Sequence, residues 1–276
     1  MGINKKYRFI IWSVFMIITV TTGRAQKGYE VGGWLGLSSY HGDLNPDINI
    51  GFPGFSAGIV GRYNFNTRVC FKTSLNYGFV RASDADSDNN FNRNRNLSFQ
   101  SHLIDIAPVF EFNFLEYVHG SRTKYFTPYL LGGLNLFYFN PTAELEGDRF
   151  SLRGLGTEGQ PVGKEYSPVS GGLVLGVGFK WDINYDYSIN IELSTRLLFT
   201  DYLDDVSTVF PDKATLLARR GETAVALSDR SLIEGLGAVN RQRGDSTNND
   251  SYTFVGIGIV KYFGWIDCPE ISRIKH

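Results

Sequence analysis

The chain has 276 residues and a formal net charge of −1, so it lacks the basic excess of a general nucleic-acid binder. It carries Gly 31, Phe 21 and Tyr 15 against Met 2 and Cys 2, a balance that favours strands and turns over packed helices.

The first 25 residues read as a secretory signal. Lys5, Lys6 and Arg8 precede the apolar run Phe9 to Val20, and Gly23 and Ala25 supply small residues before a cut at Gln26. The run is too short for a spanning helix, which needs about 20 apolar residues. No Cys follows the cut, which argues against a lipoprotein. Beyond residue 25 no segment is long and apolar enough for a membrane helix. The alternatives are a soluble exported protein or a membrane β-barrel.

Eight segments alternate with period two between turn residues, at 29–41, 54–65, 68–81, 98–113, 124–139, 169–182, 187–201 and 251–263. They are longer than soluble strands, which run about 5–6 residues, and long enough to cross a bilayer at a tilt, which takes about 9–11. The links alternate in length. Tight turns are expected near Asn64–Thr67 and Ile183–Asp186, with a modest link at Glu116–Arg122. Long links are expected at 42–53, 82–97, 140–168 and 202–250. Long loops gathered at one end are the pattern of an outer-membrane barrel with its termini in the periplasm. The expected fold is therefore all-β, an eight-stranded antiparallel transmembrane β-barrel over 26–263 with long external loops. A periplasmic tail follows at 264–276.

The apolar face of each strand is continuous. In the sixth, Leu173, Leu175, Val177, Phe179 and Trp181 oppose Gly172, Gly176, Gly178 and Lys180. The other face is built from Gly, Ser and Asn with rare charges, which suits a narrow interior better than a water-facing surface. Glu30, Asp105, Glu111 and Glu192 should face Arg62, Lys72, Lys180 and Arg196 inside. Buried charges must pair, and an eight-strand interior is about filled by its side chains. A closed, salt-bridged lumen is expected rather than a pore.

No constellation announces chemistry. Asp201, Asp204 and Asp205 in DYLDDV invite a Ca²⁺ reading, but the spacing is not that of an EF-hand, and solvated loop acids are expected. Asp84, Asp86 and Asp88 lie in the polar stretch DADSDNNFNRNRN, expected to be a flexible loop. Ser38, Ser39, His41 and Asp43 sit together, but no nucleophile elbow accompanies them, so a polar strand end is expected and no enzyme, cofactor or metal. The segment PDKATLLARRGETAVALSDRSLIEGLG has helical character broken at Gly221 and reads as a short cap over the mouth. Cys70 and Cys268 both fall toward the periplasmic end; they read either as a bridge tying the tail under the barrel or as two unrelated thiols.

Several stretches resemble the PorG-like outer-membrane barrels of Bacteroidota, a group catalogued as a domain of unknown function. YEVGGWLGLSSYHGDLNP at 29–46 resembles the first strand and loop, and RGLGTEGQ at 153–160 and TDYLDDVSTVFPD at 200–212 resemble the third and fourth external loops. The end KYFGWIDCP is similar too. The resemblance implies outer-membrane lipid as the surroundings and a place in type IX secretion, with contacts to a periplasmic ring lipoprotein and its partner protein. The surfaces it implicates are the turns 64–67, 116–122 and 183–186 and the tail 264–276. A second reading is a surface-recognition barrel, adhesin-like, acting through its long loops.

Overall fold

The computed structural model describes residues 27–46 and 53–264. The signal segment, Cys268 and nearly all of the tail lie outside the described residues. So the domain boundaries and the Cys70–Cys268 bridge remain sequence expectations.

Among the described residues nine strands form one antiparallel sheet: β1 (Gly28–His41), β2 (Gly54–Asn64), β3 (Val69–Ser83), β4 (Ser98–Asn113), β5 (Phe126–Leu145), β6 (Asp148–Ser151), β7 (Val169–Asp182), β8 (Tyr187–Leu198) and β9 (Ser251–Gly264). Each long strand pairs with its neighbours in sequence, and β1 pairs with β9 over the register Gly28↔Gly264 to His41↔Ser251. That pairing closes eight strands into a barrel, with β6 as a short addition to the outer end of β5. Closure leaves no unpaired strand edge in the wall.

The strands match the period-two reading closely, with two differences. The strand expected over 124–139 runs on to Leu145 and turns back through Glu146 and Gly147, both at positive φ (55° and 91°), into β6. Two central turn residues at positive φ join strands with the right twist. Pro141 reads as a breaker, yet the alternation continues past it with Phe139 and Ala143 inward. The strand expected to reach 201 ends at Leu198, where the chain turns over the mouth. Both short turns use the same chemistry. The Asn66 side-chain oxygen accepts from the amides of Arg68 and Val69, each at 2.8 Å. Asn184 accepts from those of Asp186 and Tyr187, each at 2.9 Å.

The outside of the closed wall is oily. Leu35 (60%), Ile59 (62%), Leu136 (56%) and Ile259 (55%) are among many apolar side chains more than half exposed. Soluble monomers rarely show contiguous apolar patches beyond a few hundred Å², whereas a spanning barrel carries an apolar band between aromatic girdles. At the short-turn end Tyr29, Tyr63, Phe65, Tyr125, Trp181 and Tyr187 ring the wall on its outer face. The wall is therefore made for hydrocarbon, and the long loops stand on the external side.

The inside divides into two halves. Toward the short turns it is polar and charged. Toward the loops it is an apolar core of Leu103, Phe99, Phe137, Phe139, Tyr252 and Phe254, continuous with Leu44, Leu97, Leu152, Leu203 and Leu227 from the loops above. The lumen is thus not ionic throughout, as the small polar inward set of the other strands had implied. In β5 both faces are apolar, and alternation alone hides the inward one.

Candidate functional site

In the periplasmic half, Glu111 on β4 is the hub. It meets Arg62 at 2.8 Å, Lys72 at 3.3 Å and Lys180 at 2.6 Å. Arg62 also pairs with Glu30, and Lys72 with Glu192. These six residues come from β1, β2, β3, β4, β7 and β8, so the network laces most of the wall together. Asp105 and Arg196 form a separate pair higher up, 3.6 Å apart. Asp105 is held chiefly by Asn76 (2.5 Å), Asn135 (2.7 Å) and the Tyr252 hydroxyl (2.8 Å). The Arg196 guanidinium lies 4.3 Å from the centre of the Phe254 ring. All eight charged residues point inward, in a set of six and a set of two.

Sequence reasoning missed the residues that close the periplasmic mouth. The link between β4 and β5 folds into the barrel. Its His119 sits 3.1 Å from both Glu30 and Asp182, stacked on Tyr262 at 4.2 Å. Tyr117 donates to Asp182. Burial alone would lower the His119 pKa, but hydrogen bonds to Asp182 and Glu30 outweigh it and raise the pKa above the ordinary value. When protonated, His119 joins Arg62, Lys72, Lys180 and Arg196 in offsetting Glu30, Asp105, Glu111, Asp182 and Glu192. Between the two charge sets lies a cavity of about 40 Å³ lined by Trp34, Arg62, Lys72, Asn190, Glu192 and Arg196. At about 10–15 Å³ per water-sized probe, that is space for a few waters. Cys70 is buried in this half, 3.7 Å from the Lys180 ammonium.

The external half carries a second polar system, in which the third and fourth loops interlock through the motifs singled out in the sequence. Glu158 accepts from the amides of Ser207 (2.9 Å) and Thr208 (3.0 Å), from the Thr208 hydroxyl (2.6 Å) and from Arg243 (3.1 Å). Asp205, at φ 70°, accepts from Thr157 and from the Tyr166 hydroxyl (2.7 Å). Arg243 donates to the Asp205 carbonyl (2.5 Å) and the Ser228 carbonyl (3.2 Å). Arg95 ties in the other two loops. It forks onto Asp84 with two bonds of 2.8 Å and reaches the Asp43 carbonyl at 2.9 Å; it also donates to the Arg243 carbonyl.

The acids of this cap are not the solvated loop groups expected. Asp201, Asp204, Asp205 and Asp250 are buried, and so is Asp84. The stretch around Asp84 is ordered, with a 3-10 turn at Asp84–Asp86 and a helix at Asn90–Arg95. The Tyr40 hydroxyl donates between Asp204 (2.5 Å) and Asp250 (3.0 Å). Burial pushes the Asp43 and Asp205 carboxyls up to about 6 and Asp201 to about 8. Burial and the Asp250 charge hold Asp204 well above the usual range; burial and Asp201 do the same for Asp250. Two helices, Lys213–Arg220 and Glu222–Ser228, meet at Gly221 (φ 84°), the break read in the sequence. They lay Leu216, Ala224 and Leu227 on the core.

The Ser38–His41–Asp43 stretch does not assemble a nucleophile. The Ser38 hydroxyl lies 2.5 Å from the Phe79 carbonyl, and the Asp43 carboxylate accepts from the Asp245 amide. Among the described residues, no group of three or more His, Cys, Asp or Glu is placed to hold a metal ion.

A closed eight-stranded barrel with an oily outer wall and a filled interior is an outer-membrane β-barrel protein, and the outer membrane is its location. A family profile described as a domain of unknown function, DUF6089, matches residues 8–218, and the chain belongs to that family. No curated protein matches the chain. Among solved structures it is similar to the attachment invasion locus protein Ail of Yersinia pestis. That match has 9% identity and a TM-score of 0.40, covering 87% of this chain and 100% of that one. Neisserial surface protein A is similar at 13% identity and a TM-score of 0.42, covering 85% of this chain and 97% of that one. OprG of Pseudomonas aeruginosa is similar at 11% and 0.42, covering 88% and 99%.

Proposed function

We propose that the protein is a non-enzymatic structural barrel that anchors a periplasmic assembly to the outer membrane. The observation that carries this reading is the filled interior. Ion pairs and His119 occupy the periplasmic mouth, an apolar core fills the external half, and interlocked loops cover it. Among the described residues this filling occupies the lumen, which supports action through the barrel's surfaces rather than as a conduit. The resemblance to PorG-like barrels names the assembly as that of type IX secretion, with a ring lipoprotein and its partner protein as the contacts. The periplasmic mouth suits this role, because the inserted link between β4 and β5 is fixed by buried bonds and offers a rigid floor. The test is affinity purification from solubilised native outer membranes, with identification of what is retained. Recovery of periplasmic ring subunits is the expected result. A barrel that purifies alone, with and without prior cross-linking, overturns the reading.

A second reading, recognition at the cell surface, is favoured by the interlocked cap, which holds its outer side chains in fixed places. Leu232 (70% exposed) and Ile233 (53%) stand on that surface. Replacing both by Ser leaves Arg243 and the buried core in place. Loss of binding to external targets, with periplasmic partners still retained, would select this second reading.

A further inference from the structure

The register of β3, β4 and β5 resolves the outer wall into levels. Leu75, Ile106 and Leu136 are aligned across the three strands; one step outward come Tyr77, Ile104 and Tyr138; then Phe79, His102 and Asn140; then Arg81, Gln100 and Thr142. All twelve side chains face outward by the alternation of their strands. The wall thus passes from aliphatic, through aromatic, to fully polar within three steps, or about 20 Å at 3.4 Å per residue. This is the passage from hydrocarbon through the interfacial girdle to the headgroup layer. Tyr77 and His102 share a hydrogen bond across this transition, the hydroxyl 2.7 Å from His102 Nδ1.

At the polar level the wall is not smooth. A groove of about 290 Å³ opens there, lined by Arg81, Ser83, Asp86, Gln100, Thr142 and Glu144, with Phe99 and Ala143 behind. Arg149 on β6 stands at its edge. With its amide turned to accept, Gln100 takes two bonds of 2.8 Å from the Arg149 guanidinium. The β5–β6 hairpin, which the sequence did not announce, is what carries the wall high enough to form this side of the groove.

We infer that this groove binds the phosphorylated sugar headgroup of an outer-leaflet glycolipid. The mixture of groups sets the chemical class. Arg81 supplies a planar cation of the kind that forks onto phosphate. Asp86, Glu144, Gln100, Ser83 and Thr142 supply acceptors and donors for hydroxyl groups. Two carboxylates in the lining disfavour a bare phosphate and suit a ligand that carries hydroxyls beside its phosphate. The place sets the source. The groove begins four residues above the level of Tyr77, Ile104 and Tyr138, so a headgroup seated in it directs its acyl chains down past His102 and Asn140 onto the face of Tyr77, Tyr138, Ile104 and Leu136. A free sugar phosphate would draw nothing from that continuity.

The test uses the full mature barrel in nanodiscs, with bound lipid counted by native mass spectrometry. The discs contain a phosphorylated acyl-disaccharide, the same lipid after enzymatic dephosphorylation, or phosphatidylethanolamine alone. The wild-type barrel is expected to retain the phosphorylated lipid over the dephosphorylated one by about tenfold, the equivalent of one well-made charged contact. Arg81→Ala is expected to abolish that preference, and Thr195→Val, on β8 and away from the groove, to leave it intact. Heat-modifiable gel mobility shows that each variant is folded. Equal retention of the two glycolipids, or an unchanged preference in Arg81→Ala, overturns the proposal. Full displacement of the lipid by millimolar inorganic phosphate overturns the lipid assignment and leaves a soluble-phosphate site. None of these outcomes depends on a periplasmic partner.

Discussion

The two halves of the interior treat charge in opposite ways. In the periplasmic half, acids and bases alternate in space and each acid meets a base, so the network is nearly neutral. In the external cap, Asp43, Glu158, Asp201, Asp204, Asp205 and Asp250 gather near two guanidinium groups, Arg95 and Arg243. Arg95 is already engaged by Asp84. The first arrangement is a lock whose parts neutralise one another. The second holds a surplus of buried carboxyl groups, and only backbone amides, hydroxyls and protons compensate it. Stability in the lower half should depend on single residues, and in the upper half on pH.

The largest effect expected is at the hub of the lower half. Glu111→Gln leaves Arg62, Lys72 and Lys180 facing one another with a neutral amide between them. Breaking one buried pair costs about 3–5 kcal/mol. A loss of at least that size is expected in urea unfolding of the detergent-folded barrel, followed by gel mobility. A loss below about 1 kcal/mol would mean that water already screens the network.

Next comes Arg243→Met. Glu158 and the carbonyls of Asp205 and Ser228 lose their cationic donor, at about 2–3 kcal/mol for charged hydrogen bonds. The effect should be confined to the cap: faster protease cleavage between residues 200 and 250, with the urea midpoint of the barrel unchanged. A shifted midpoint with no change in cleavage would show that cap and barrel are one cooperative unit.

The third contrast is with pH. A carboxyl whose folded pKa lies above its ordinary 3.8 favours the folded cap fully only below that value, and its contribution fades as pH rises through the folded pKa. Asp43 and Asp205 place the fading near pH 6, and Asp201 extends it to about 8. The protection of cap amides from hydrogen exchange, taken relative to the intrinsic base-catalysed rate at each pH, should therefore fall from about pH 5 to 9, and Asp201→Asn should flatten the upper part of that fall. Protection that rises over the same range would reverse the sign and sink the account.

The smallest effect belongs to the outer wall. Thr195 and Thr253 share a hydroxyl contact of 2.9 Å on the lipid side, and Thr195→Val should change stability by no more than about 1 kcal/mol.

The same contrast explains what the sequence disclosed. The eight strands and the eight inward charges were legible because period two is a local property, and a charge on an otherwise small, polar face has few other places to go. The cap was not. Asp204 reads as a loop acid until Tyr40, far away in the chain, is placed against it. Asp205 needs Thr157 and Tyr166, and Glu158 needs Arg243. Such contacts join loops that follow different strands, and no pattern within one segment encodes them. His119 escaped notice for a related reason. A link of modest length reads as solvent-facing unless the void it fills is known. The motifs at 153–160 and 200–212 were noticed only as a family likeness; their bonding shows why those residues occur together.

The seam between β1 and β9 has a consequence for how the chain reaches this state. Its two strands lie more than 200 residues apart, so their pairing closes the longest loop in the barrel and carries its largest closure entropy. Gly256 and Gly258 leave space on β9 for Trp34 of β1; a methyl group on Gly256 would come within 2.5 Å of the indole, and one on Gly258 within 2.9 Å of the Trp34 Cβ. Trp34 then bonds Asn76 of β3 at 3.0 Å. The indole settles only once the first and last strands have met, so it acts as a clasp fastened at the end of assembly, and its fluorescence would report the moment the cylinder shuts.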